Sequence, residues 1–122
     1  GDHMSLVPID IGGDRTAHIR QETTIGELED AQWLEKVWLE DAPEHARDSR
    51  RGLCLPMVCV REWEGMPSTF TWPALPEPLM TSHPSIEARY QSMRTHLGMR
   101  SIKTIIERLT KAMMPEDTLE GN

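Results

Sequence analysis

Apolar residues recur at helical spacing in three stretches of the chain. In the first, Ile25, Leu28, Ala31, Leu34, Val37 and Trp38 follow one another with acidic residues on the remaining surface, a pattern that predicts an amphipathic helix. Thr24-Ile25-Gly26-Glu27 has the form of a capping box, in which hydroxyl and carboxylate satisfy free amides at a helix start, and Pro43 limits the run to about residues 25–41. Glu27, Glu29 and Asp30 in the first turn suit the positive end of the helix dipole. In the second stretch Ile86, Tyr90, Met93 and Leu97 fall within one sector of about 60° on a wheel, after the start signals Ser82 and Pro84 and before Gly98. In the third, Ile102, Ile105, Ile106, Leu109, Ala112 and Met113 form a stripe ended by Pro115, with Arg100, Lys103 and Lys111 on the opposite side.

Between these stretches the period changes. Leu6 to Ile11 alternates weakly and stops at the turn signal Gly12-Gly13-Asp14, which reads as a short edge strand or an arm. Pro43 to Arg51 fits a short helix closed by Gly52. Leu53 to Val60 is apolar and β-prone, Ser68 to Trp72 alternates, and Glu64-Gly65-Met66-Pro67 separates them, so an antiparallel hairpin is the economical expectation. Trp72 to Pro78 carries three prolines and must be an extended connector. The expected architecture is α+β: three to four helices packed with a small antiparallel hairpin, the C-terminal amphipathic helix pair forming the spine of the core. A mainly α fold is the alternative.

Composition narrows the class. With 122 residues, 38% apolar and 27% charged, one folded domain is expected, spanning residues 5–115. Residues 1–4 read as a remnant of cloning and 116–122 as a flexible tail. A single Phe and a single Tyr leave four Trp and eight Met to supply the bulky core material. No run is long and apolar enough to span a membrane, and no signal peptide opens the chain. Cys54 and Cys59 lack a second ligand pair at zinc spacing and are read as free buried thiols, which suggests an intracellular, cytoplasmic protein. The formal charge of −7 is unevenly spread: residues 21–44 hold eight acids against Lys36, and residues 84–114 hold six bases against Glu87 and Glu107. The domain is electrically two-sided.

Reactive chemistry finds little support. His18, His45, His83 and His96 are scattered, with no i, i+4 pair and no Glu at metal-site spacing. A Pro-interrupted apolar segment is a poor setting for an activated thiolate. No glycine-rich phosphate loop, Gly-x-Ser-x-Gly or paired-carboxylate signature is present. Neither a catalytic site, a metal nor a cofactor is expected. What stands out is surface. Trp33 lies off the centre of the first helix's stripe and widens its apolar face, so Trp33, Val37 and Leu39 are the candidate interaction residues. The expected function is a non-enzymatic protein–protein interaction or assembly module with a protein partner, a homo-oligomer first. The alternative is binding of nucleic acid or an anionic surface through Arg94, Arg100, Lys103 and Lys111. The net charge, Glu107 amid these bases, and the lack of an outward Asn or Gln to read adenine weigh against it.

Overall fold

The computed structural model describes residues 5–79 and 83–114. Its first unit is a hairpin of β1 (Leu6–Gly12) and β2 (Arg15–Arg20). Gly13 and Asp14 both take positive φ, near 62°, the turn whose twist matches two paired strands. Ile9, Ile11, Ala17 and Ile19 point to one buried face. A third strand, β3 (Val60–Glu64), pairs antiparallel with β2, giving the order β1-β2-β3. Gly65, which ends β3 with φ 80°, passes the hairpin turn so closely that a Cβ there would lie 2.2 Å from the Asp14 carbonyl oxygen.

Residues 25–59, between β2 and β3, are mostly helical. α1 (Ile25–Val37) begins at the predicted capping box: the Glu27 amide donates to Thr24 Oγ1 at 3.1 Å and the Thr24 amide to Glu27 Oε1 at 3.0 Å. A 3₁₀ turn over Trp38–Asp41 carries the chain to Pro43. The expected helix is therefore present, but its buried face is Glu27, Ala31 and Leu34, while Ile25 and Leu28 are exposed.

The larger correction concerns residues 47–72. The segment expected as a strand from Leu53 lies inside α2 (Arg47–Cys59), which runs through both Gly52 and Pro56. Pro56 removes one helical hydrogen bond, at a cost of about 3 kcal/mol. Burial of Cys54, Met57, Val58 and Cys59, at most 5% exposed, returns roughly 1.5–3 kcal/mol for a Val- or Met-sized side chain and outweighs it. α2, rather than the C-terminal helices, is the spine, since α1, α3 and α4 all pack on it. Its first half is largely exposed but its last turn, Pro56 to Cys59, is buried all round, and a turn covered on every side needs no amphipathic period. The second expected strand, 68–72, is not one either. Phe70 and Trp72 stack at 5.8 Å, and Trp63 meets both edge-on at 5.1 Å.

Two helices complete the fold as expected, α3 (Pro84–His96) and α4 (Met99–Met113). α4 lies on β1 and β2 and against α2, whereas α3 contacts mainly α2. The core combines Ile9, Ala17 and Ile19 from the sheet with Leu34, Met57, Met93, Ile105 and Leu109 from the four helices.

Candidate functional site

Glu27 decides which side of α1 faces outward. Its carboxylate is only 5% exposed. One oxygen closes the capping box, and the other accepts from Arg20 Nε at 3.2 Å, with Arg61 Nη1 at 3.8 Å. Drawing the acid inward turns the opposite side of the first turn to solvent, leaving Ile25 76% exposed and Leu28 37%. The Thr23 amide donates to the Ala112 carbonyl at 3.2 Å, which ties the approach to α1 to the last turn of α4. Ile25, Met113 and Met114 thus lie at one end of the molecule. Of the five large hydrophobic side chains exposed among the described residues, only Met99 lies apart, at the other end of α4. Charged residues of both signs flank the apolar end: Glu22 and Glu29 beside α1 and Lys111 on α4, all exposed.

The residues expected to form an interaction face are distributed differently. Leu39 is 4% exposed and belongs to the core. That position offers no surface to a partner, because the 3₁₀ turn directs it inward. Trp33 and Val37 are half-buried, and Trp33 packs against the core. Arg94, on α3, and Arg100, Lys103 and Lys111, on α4, are exposed, and none has an ion-pair partner among the described residues. At 100° per residue Arg100, Glu107 and Lys111 lie within about 40° of one another on α4, so the acid interrupts the basic stripe.

A second locus has no counterpart in the sequence reading. A cleft of about 280 Å³ opens between α1, the end of α2, β3 and the segment from Trp72 to Glu77. Its charged walls are Glu27 and Asp30 from α1, Arg61 from β3, Glu77 and Arg89. Arg89 is 7% exposed. It donates from Nε to the Pro73 carbonyl at 2.8 Å and from Nη1 to the Met57 carbonyl at 2.6 Å, and its guanidinium lies 4.5 Å from the centre of the Trp72 ring. Met57 lies in the last turn of α2, where carbonyls lose their helical partners, so the cation also caps that helix. Burial, and secondarily Arg61, lowers the Arg89 pKa to about 10, which leaves it charged at neutral pH. The connector is pinned further by the Trp72 indole N–H on the Val60 carbonyl at 2.8 Å and by the Leu79 amide on Asp30 Oδ1 at 3.1 Å. One signal in the sequence did mark Arg89: it lies three residues after Ile86 and four before Met93, at core spacing.

Both cysteines are free and buried, and desolvation, the largest cause in each case, pushes their thiols up to about 12. Such thiols are poor nucleophiles at neutral pH. No group of three or more His, Cys, Asp or Glu placed to hold a metal occurs among the described residues, and no helix there is long and apolar enough to cross a membrane. Compared with family models, curated proteins and solved structures, the chain has no match.

Proposed function

We propose that this chain is a non-enzymatic interaction module that self-associates through the apolar end formed by Ile25, Leu28, Met113 and Met114. The observation that carries this reading is the gathering of exposed apolar side chains where α1 starts and α4 ends. Scattered exposed hydrophobes are ordinary, whereas several at one end of a molecule call for a partner. A second copy is the favoured partner because the rim carries both signs. Across a two-fold axis Glu29 of one copy can face Lys111 of the other, and an interface of that kind is self-complementary. The inert thiols support a non-catalytic role, and two free cysteines support a reducing, intracellular setting.

Sedimentation at low and high salt tests this proposal. Burial of apolar surface is not screened, so the association is expected to survive high salt. Binding of nucleic acid through Arg94, Arg100, Lys103 and Lys111 would give another pattern, a monomer that retards a labelled oligonucleotide with affinity falling steeply as salt rises. The interruption by Glu107 makes that pattern the less favoured.

A further inference from the structure

The cleft beside the connector holds two guanidinium groups with unused donors. Arg89 spends Nε and one Nη1 hydrogen on backbone carbonyls. It has no carboxylate partner among the described residues, and its Nη2 is neither hydrogen-bonded nor sealed in the interior, so that edge opens toward the cleft. Arg61 makes no hydrogen bond among the described residues and has only long ion pairs, 3.8 Å to Glu27 and 4.0 Å to Glu77. The acids nearby are otherwise engaged or peripheral: Glu27 is held by Arg20 and its helix cap, Asp30 takes the Leu79 amide, and Glu77 is 71% exposed. Trp72, Val58 and Leu75 supply apolar wall.

We propose that this cleft binds a small organic monocarboxylate, its carboxylate between Arg61 and Arg89 and its short apolar body against Trp72, Val58 and Leu75. Guanidinium groups match carboxylate geometry with parallel hydrogen bonds. An anion between the two arginines would also relieve their mutual repulsion, which contributes to the lowered pKa of Arg89. A volume of 280 Å³ lies at the small end of ligand sites, typically about 300–1,000 Å³, and so suits a ligand of few heavy atoms. Glu27, Asp30 and Glu77 disfavour a second negative charge, which selects a monocarboxylate over phosphate. This site is separate from the apolar end, and either proposal can fail without the other.

The test is a nuclear magnetic resonance titration of the nitrogen-15-labelled protein with butyrate, butyramide and inorganic phosphate. Saturable shifts of the Trp72 indole and Arg89 Nε resonances are expected with butyrate, none with butyramide, and weaker binding with phosphate. Arg61→Gln should weaken butyrate binding about tenfold, the loss of a charge-assisted hydrogen bond, with only a small loss in the melt, because Arg61 is 35% exposed, its pair with Glu27 is long at 3.8 Å, and Arg20 still holds that acid. Arg89→Lys should weaken it as well; if that variant fails to fold, Arg61→Gln carries the test. The proposal is overturned if butyrate gives no saturable shift, if butyramide shifts the same resonances, if phosphate binds more tightly, or if Arg61→Gln binds butyrate as well as the parent.

Discussion

α1 and α4, whose start and end are linked through the Thr23–Ala112 hydrogen bond, use their hydrophobic residues in opposite ways. In α1 the series Ile25, Leu28, Ala31, Leu34, Val37 advances in steps of three, each falling about 60° short of a full turn. After three such steps Leu34 lies opposite Ile25, so one of them must face water. The inward pull of Arg20 and Arg61 on Glu27 decides that it is Ile25. In α4 single steps between the steps of three correct the drift, and Ile102, Ile105 and Leu109 stay together, each at most 6% exposed. An apolar series at helical spacing is thus not yet a face. Its phase must be followed residue by residue, and a drifting series leaves apolar surface for a partner.

The largest effect should come from placing the same charge in each helix. Ile105→Asp puts an unpaired charge at a 0% exposed position and is expected to unfold the domain, against a total stability of roughly 5–15 kcal/mol. Ile25→Asp should leave the thermal melt within about 0.5 kcal/mol of the parent at dilute concentration. Equal melts for the two variants would break the contrast. Within α1, Leu34→Ala should cost about 2–5 kcal/mol and Leu28→Ala under about 1 kcal/mol in denaturant unfolding; a reversed order would mean that α1 is rotated from the position described. Glu27→Ala should cost about 1–3 kcal/mol, combining the lost cap with arginines left without their shared acid. That figure stays modest because Arg20 and Arg61 are partly exposed, 19% and 35%.

At neutral pH the smallest effect is that of the thiols of α2, the helix that both others pack against, because their pH dependence appears only in alkali. Cys54 and Cys59 are raised in the folded state from the ordinary 9.0 to about 12. A raised folded-state value means that the fold holds the proton more tightly than the unfolded chain does. Their contribution is therefore fully present below about pH 9 and is lost as pH rises from there toward 12. Serine at both positions should remove that part of the alkaline loss, and reductant should leave the melting temperature unchanged at neutral pH.

Much of the fold was legible in the sequence where local chemistry is self-sufficient. The capping box Thr24 to Glu27, the turn Gly12-Gly13-Asp14, the proline connector and the phase-locked stripe of α4 each carry their own signal. The sequence of α2 points to a strand because the helix's last turn is buried on all sides. A buried apolar run broken by Pro56 and preceded by Gly52 has no period to separate helix from strand. β2, Arg-Thr-Ala-His-Ile-Arg, buries only Ala17 and Ile19 and is specified by its pairing with β1 and β3 rather than by composition. The cleft was invisible for a related reason. Arg89, Arg61, Asp30 and Trp72 come from four segments, and only the folded chain brings them together. The apolar end likewise depends on the contact between Thr23 and Ala112, residues distant in sequence.

The most direct test of the central claim is the mass in solution of the parent, Ile25→Asp and Trp33→Ala, measured by sedimentation equilibrium over a range of protein concentration in high salt. The parent should associate, Ile25→Asp should be a monomer with an unchanged melt, and Trp33→Ala should still associate although less stable, because Trp33 packs on its own core. A parent that stays monomeric up to its solubility limit, or an Ile25→Asp variant that associates as the parent does, would contradict the account.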